Sequence, residues 1–493
     1  MNTKALRQKV LDLAIHGKLV PQNPNDESAT VLLEKIRAEK AEKIKKGELK
    51  VDKKDSFIFV GSDKRHYEQF ADGTVKDIED EIPFDVPEGW AWCRFGNFID
   101  VRDGTHYSPK YVENGYPFVT SKNLVNGKID FTDVKYISEK DHKEYIQRSF
   151  VEDGDILFAM IGSIGNPVLV KKDREFSIKN VALFKPYSKQ LTNMKYLFYF
   201  LLWIQENLRS KAKGGMQPFI PLSFFRTEVL IPIPPSEEQF RIISNIEEIL
   251  SKIDSLEKNK IDLENIIKQT KSKILDLAIH GKLVPQDPND EPAEELLKRI
   301  ATSDNRPYEK LYEEPFDIPN SWCWTKLETL GQTNIGLTYH PEDVSNEGII
   351  VLRSNNINND TLTLDDVVKV KLSTKILENQ YIDNGDILIC ARNGSQNLVG
   401  KCTLISGLKE KTSFGAFMAV FRSQFNPYIL RYLQSKYFKD YMFESNSTQI
   451  HQLTQSMLKD ALVPLPPEAE QKRIIEKINQ MYSLLDQIQN NLI

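Results

Sequence analysis

Four cysteines in 493 residues are too few for a disulfide framework. Cys93, Cys323, Cys390 and Cys402 show no CxxC spacing, and the seven histidines form no HxxxH cluster, so no metal site is expected. No run of about 18 apolar residues occurs, which excludes a hydrophobic membrane span as an expectation. The opening MNTKALRQKV lacks the apolar core of a signal peptide, leaving the cytoplasm as the expected location. Enzyme signatures are missing too. GSQNLVGKCT at Gly394 resembles a phosphate-binding loop, but five residues separate its glycines and Cys402 stands where Ser or Thr would ligate magnesium. NPND at Asn23 and DPND at Asp287 lack the aromatic residue of an amino-methyltransferase tetrapeptide, and there is no GxGxxG, nucleophile elbow or HExxH. These absences point to a chain that binds rather than catalyses.

What is present is a repeat. LDLAIHGKLVPQ occupies Leu11–Gln22 and returns unchanged at Leu275–Gln286. PFDVPEGWAW at Pro83 is answered by PFDIPNSWCW at Pro315, and LIPIPPSEEQFRII at Leu230 by LVPLPPEAEQKRII at Leu462. Self-similarity over such distances marks a repeated architectural unit. The dodecamer has the wider spacing because the first copy carries extra residues between Ile36 and Phe84. They include EKAEKIKKGELKVDKKD, whose lysines suggest a solvated helix and linker. Each copy runs dodecamer, linker, globular block, PxPPxxEQxRII and a helix. The second copy's helix stops at Ile493, and its continuation stands before the first dodecamer, so the repeat is circular and the termini are expected to meet. Ile242, Ile246, Ile249, Ile253, Leu256, Lys260, Leu263, Ile267, Thr270, Ile274 and Leu277 follow alternating spacings of four and three, and all but Lys260 and Thr270 are apolar, the seam of a coiled coil. Gly17 and Gly281 are expected helix stops, with His16 and His280 placed to meet the last helix carbonyls. The helix from Glu237 to Ile279 is expected to act as a ruler of roughly 65 Å at about 1.5 Å per residue.

The blocks mix short β-like runs (YPFVTS, GDILFAMIG, GIIVLRS, GDILICARNG) with helical stretches near their ends, predicting α+β domains. The predicted organisation is an N-terminal helical region over 1–37, a lysine-rich linker over 38–80, recognition blocks over 81–232 and 313–464, a central coiled-coil region over 233–312 and a C-terminal helix over 465–493. Net charge is −5, which by itself argues mildly against a nucleic-acid partner. Yet Val86–Val229 holds 20 basic residues against 16 acidic and Ile318–Ala461 holds 14 of each, so the acidity lies elsewhere. The turns keep a framework and change its side chains. GTHYSPKYV at Gly104 pairs with GLTYHPEDV at Gly336, VTSKNL at Val119 with LRSNNI at Leu352, IGS ending at Ser163 with NGS ending at Ser395, and Gln217 with Gln449. One binding fold reading two targets fits this pattern. The residue types are those that hydrogen-bond base edges and phosphates. Candidates in the first block are Arg102, Thr105, Tyr107, Lys110, Thr120, Ser121, Lys122, Asn123, Ser163, Lys213 and Gln217. In the second they are Thr338, Tyr339, His340, Arg353, Ser354, Asn355, Asn356, Arg392, Asn393, Ser395 and Gln449.

On LDLAIHGKLVPQ, PxPPxxEQxRI and the GxTxxP-like turns, the chain resembles the specificity subunit of Type I restriction-modification systems over nearly its whole length. The resemblance implies two target-recognition domains held apart by a long antiparallel coiled coil, and a non-catalytic subunit binding a split, asymmetric site in double-stranded DNA. It further implies two methyltransferase subunits using S-adenosylmethionine and two restriction subunits using ATP and Mg, with no cofactor on this chain. The reading it competes with is a coiled-coil scaffold whose blocks bind protein or carbohydrate; a third is a fused enzyme with unrecognised motifs.

Overall fold

The computed structural model describes residues 2–52, 54–212, 218–305, 307–358, 360–444 and 452–492. It divides into two compact units, Met1–Lys258 and Asn259–Ile493. The division falls inside one continuous helix, so each unit takes half of it.

The first unit comprises α1 (Thr3–Ile15), α2 (Ala29–Lys45), β1 (Ser56–Val60), β2 (His66–Phe70), β3 (Val75–Asp77), β4 (Ala91–Arg94), β5 (Ile99–Asp103), β6 (Tyr116–Val119), β7 (Ile156–Ala159), β8 (Gly165–Leu169), β9 (Ser177–Ile178), β10 (Val181–Pro186), α3 (Met194–Ser210), β11 (Leu230–Ile233) and the first half of α4 (Ser236–Ile279). Its main sheet is antiparallel in the order β8-β7-β10-β5. Beside it β9 pairs with β6 in parallel, and β4 pairs with β11. The fully buried strand residues of β7 and β10 read as continuous apolar runs, ILFA and VALF, because both faces of these central strands are covered.

The second unit repeats this plan. It holds the rest of α4, then α5 (Ala293–Ser303), β12 (Cys323–Lys326), β13 (Gln332–Ile335), β14 (Ile349–Leu352), β15 (Ile387–Cys390), β16 (Cys402–Leu404), β17 (Thr412–Phe414), β18 (Met418–Arg422), α6 (Asn426–Gln434), β19 (Leu462–Leu465) and α7 (Glu468–Asn490). Its main sheet has the matching order β16-β15-β18-β13, β14 pairs with β17 in parallel, and β12 pairs with β19.

Each unit contains an antiparallel helix pair. In the first, Arg7 of α1 meets Asp254 and Glu257 at 2.5 and 2.8 Å, while Ala14 and Ile15 share a core with Ile242 and Ile246. In the second, Lys271 pairs with Asp486 at 2.5 Å and Ile274 and Ala278 pack with Ile474 and Ile478. The expected seam is buried at Ile242, Ile246, Ile253, Ile267 and Ile274. Burying each such side chain contributes about 1.5–3 kcal/mol. Leu256 departs from it and is 49 % exposed, because α1 begins at Thr3 and the first unit's helix pair ends there.

The linker expected over 38–80 is not one. Position 37 falls inside α2, and β1, β2 and β3 form a three-stranded antiparallel sheet. That sheet is fastened to the block by a buried ion pair, Arg94 with Glu68 at 2.7 Å, and by Asn97 Nδ2 donating to the Ser56 carbonyl at 2.8 Å. Lys45, Lys46, Lys50 and Lys54 are exposed and Lys43 is half-buried, in contrast to Lys40. Its Nζ is buried against Asp55 at 2.9 Å.

Candidate nucleic-acid interface

The three repeated motifs converge on one junction in each unit. Gly17 ends α1 with φ +65°, and the Lys18 amide donates to the Leu13 carbonyl at 2.8 Å, a Schellman closure. A side chain on Gly17 would place its Cβ 2.3 Å from Pro87 of PFDVP, so the position needs glycine twice over. Gln22 Nε2 donates to the Gly17 carbonyl at 2.8 Å and to Glu238 Oε1 at 3.1 Å, and Trp90 Nε1 donates to Glu238 Oε2 at 3.0 Å. Arg241 pairs with Asp26 at 2.5 Å. The second unit copies each bond: Gln286 to Glu470 at 2.6 Å, Trp322 to Glu470 at 2.9 Å, Arg473 to Asp290 at 2.6 Å, and Gly281 against Pro319 at 2.3 Å. Burial holds the Glu238 and Glu470 carboxyls above the usual carboxylate range, against the pull of their Gln and Trp donors. His16 and His280 do what the sequence suggested. Each Nδ1 donates to a carbonyl one turn back (Asp12, Asp276) at 2.7 Å while its ring lies 4.0 Å from Phe84 or Phe316.

The candidate binding residues lie elsewhere, on a rim at one end of each main sheet. In the first unit β5 and β7 end, and β10 begins, at the same edge, with Asp103 opposite Ala182 and Ala159 opposite Val181. Thr105 bridges to Lys179, and the Lys179 amide donates to the Val119 carbonyl at 2.9 Å. This brings the loops at Gly104–Lys110, Thr120–Asn123 and Lys179–Asn180 side by side. Gly104 permits the approach, since a Cβ there would sit 2.3 Å from the Ile178 carbonyl. In the second unit Leu337 bridges to Gly415, Gly415 N donates to the Leu352 carbonyl, and Ala391 N and Arg392 N both donate to the Phe417 carbonyl at 2.9 and 3.0 Å. Gly336 plays the part of Gly104, with 2.2 Å between a Cβ and the Phe414 carbonyl.

The rim sorts the candidates. Tyr107, Lys110, Lys122, Ser163, Thr338, His340, Asn355, Arg392 and Ser395 are exposed, while Thr120, Ser121, Tyr339, Arg353, Ser354 and Asn393 are half-buried. Asn393 Nδ2 donates to Ser354 Oγ at 3.3 Å, tying two rim loops together. Asn123 and Asn356 are buried and fully used: Asn123 Oδ1 accepts from Thr120 N at 2.9 Å and its Nδ2 donates to the Asp130 and Asp133 carbonyls, both at 3.1 Å. Asn356 does the same for Arg353 N, Thr363 and Asp366. These two asparagines therefore shape the turn and leave the reading to their neighbours. Thr105 is buried, its hydroxyl accepting from Tyr107 N at 3.2 Å. Arg102 sits within β5 rather than on a turn, its Nε donating to Asp100 at 2.7 Å. Lys213, Gln217 and Gln449 lie outside the described residues.

Sequence reasoning missed four rim residues. His106 lies between Asp103 Oδ2, 2.9 Å from Nε2, and Asn180 Oδ1, 2.7 Å from Nδ1, and Lys179 Nζ donates to Ser108 Oγ. Phe417, 62 % exposed, is the counterpart of Asn180 immediately before a buried strand. For Lys179, Asn180 and Phe417 the shared signal is position, directly before VALF or MAVF, and residue type gives no hint of it. No group of three or more His, Cys, Asp or Glu that would hold a metal ion occurs among the described residues. No helix among them is long and apolar enough to cross a membrane.

The family model for the Type I restriction modification DNA specificity domain matches residues 87–265 and 326–493, together more than half of the chain. The chain belongs to that family. The first match runs through one block into α4, and the second through the other block and the whole of α7. The EcoAI specificity subunit of Escherichia coli is 28 % identical over 556 aligned positions, covering 97 % of this chain and 88 % of that one. The EcoEI specificity subunit of Escherichia coli is 27 % identical, covering 99 % and 90 %. Among solved structures, a chain described under the complex assembly and conformational transition of the type I R-M system aligns with a TM-score of 0.54 at 19 % identity, over 83 % of this chain and 94 % of that one, and shares the fold. As a member of the specificity family, the chain is a DNA sequence-specificity subunit, and the competing protein- or carbohydrate-scaffold reading falls away.

Proposed function

We propose that the chain binds a split, asymmetric site in double-stranded DNA, each unit reading one half through its own rim, and that it catalyses nothing itself. The observation that carries this is the contrast between copied junctions and divergent rims: the bridge that holds Thr105 and Lys179 in one unit holds Leu337 and Gly415 in the other, and the bridge that holds Ile161 in the first holds Arg392 in the second. A scaffold repeated with different polar side chains is what two half-sites of different sequence require, since base edges are read by donor and acceptor pattern. The partners are two methyltransferase subunits carrying S-adenosylmethionine and two restriction subunits using ATP and Mg, with no cofactor on this chain and the assembly in the cytoplasm. The test is to purify the chain with its methyltransferase partner, modify random-sequence DNA and map the methylated positions. Two short specified segments around an unspecified spacer are expected. One contiguous motif, or methylation by the chain alone, would overturn the reading.

A further inference from the structure

Three arginines were candidates for base readout, and their surroundings differ. Arg102 is tied to Asp100 at 2.7 Å. Arg353 has Nη2 3.7 Å from Asp366, with its Nε buried and unpartnered. Arg392 alone of the three has no carboxylate within ion-pair distance and no side-chain hydrogen bond among the described residues, and its side chain is exposed. Its backbone, by contrast, is clamped on both sides. Arg392 N donates to the Phe417 carbonyl at 3.0 Å, Arg392 bridges to Gln452, and Leu453 N donates to the Ala391 carbonyl at 2.7 Å.

What lies beside the guanidinium is an aromatic face. Arg392 Cζ is 5.6 Å from the centroid of the Phe417 ring, within the range of a cation–π contact. The ring is 62 % exposed at the rim, which keeps it and the guanidinium within reach of a ligand. Stacking leaves all five N–H donors of the guanidinium in one plane and free, whereas a carboxylate partner would consume two of them. Guanine presents O6 and N7 as paired acceptors in the major groove, which a planar fork matches. At the matching positions of the first unit the bridging residue is Ile161, opposite Phe219, and Asn180 takes the place of Phe417.

We propose that Phe417 is a positioning residue for Arg392, and that together they make the half-site of the second unit depend on one guanine. This rests on the rim being the DNA-reading surface. The experiment uses the chain assembled with its methyltransferase partner and measures competition between the mapped site, variants of that site changed one base pair at a time, and random-sequence duplex. Arg392→Ala is expected to lose discrimination at a single guanine of one half-site, on the order of tenfold to a hundredfold, and to leave the other half-site intact. Phe417→Ala should lose part of the discrimination at that same position, Phe417→Tyr should restore it, and neither should change the thermal midpoint, because the ring is exposed. Were Arg392 a phosphate contact instead, Arg392→Ala would weaken every duplex alike and lower the salt slope by about 0.9, which would overturn the proposal. A Phe417→Ala complex matching the wild type at every base pair would overturn the role of Phe417 while leaving the rim reading in place. A wild-type complex that does not distinguish the mapped site from random duplex would overturn the rim reading itself.

Discussion

The junctions of the two units are nearly superimposable in chemistry, and their rims are not. At the junction a glutamate accepts from a tryptophan at 3.0 Å in one unit and 2.9 Å in the other, and the glycine stops share φ +65°. Deeper in each block Tyr196 and Tyr428 donate to the carbonyls of Pro232 and Pro464 at 2.7 and 2.6 Å. At the rim the same bridges carry Lys179 in one unit and Gly415 in the other. The junction is constrained by buried polar atoms that leave no room for substitution, because an unpaired buried donor costs about 1–3 kcal/mol. The rim is constrained only by its backbone, so its side chains are free to differ with the target. That difference explains the identical dodecamers. LDLAIHGKLVPQ supplies the stop, the histidine cap and the glutamine of the junction all at once, and both units need all three.

The largest expected effect strikes the junction. Gly17→Ala and Gly281→Ala each force a Cβ against a proline ring at a left-handed position, and each is expected to cost roughly 2–4 kcal/mol in chemical denaturation. Equal losses in both units sharpen the comparison, and a loss in only one would break it. Glu238→Gln and Glu470→Gln come next. A glutamine offers one acceptor and one donor group where Gln22 and Trp90 both donate, so one bond must fail, at about 1–3 kcal/mol. The same size is expected for Asn123→Ala and Asn356→Ala, read as lost folding stability with the specified bases unchanged. Exposed rim side chains should behave in the opposite way. Lys122→Ala is expected to leave the denaturation midpoint within about 0.5 kcal/mol of the wild type while weakening DNA binding.

The smallest effect is a difference in acid sensitivity between the units. Hydrogen bonds from Lys185, and then Lys189, hold the Glu152 carboxyl down at about 2, whereas Asp383, where the second block carries its matching GDIL turn, sits 3.6 Å from Arg422. A depressed folded-state value adds stability above the ordinary carboxylate range, and that stability is lost as pH falls through the ordinary value towards about 2. Glu152→Gln is therefore expected to flatten the acid limb of the first unit's unfolding curve and leave neutral stability slightly lower. An unchanged acid limb would show that this cluster is screened by solvent.

Much of the fold was legible because the repeats are junction residues, and a junction demands identical letters. The helix expected over 237–279 spans 236–279, and the glycine turns do sit at the ends of central strands. The sheet within 38–80 was hidden by composition. FIFV is wholly aromatic and β-branched and ADGT is a hairpin turn, with Gly73 at φ +88° and Thr74 N donating to Asp72 at 2.9 Å, but the surrounding lysines dominate the segment. The rim was half legible. Residue type picked out Arg392 and Lys122, but only burial and side-chain hydrogen bonds to the backbone separate Asn123 and Asn356, which build the turn, from the neighbours they expose. Arg102 misled because a strand residue and a turn residue look alike two positions from a glycine.

The central claim is that one copied scaffold serves two independent readers. It is tested most directly by replacing Pro83–Leu230 with a second copy of Pro315–Leu462, carrying Lys326→Arg in that copy so that Glu68 keeps its buried partner. Assembled with the methyltransferase partner, this chimera should methylate an inverted repeat of the half-site read by the second unit. Retention of the original asymmetric site by a folded, active chimera would contradict the account.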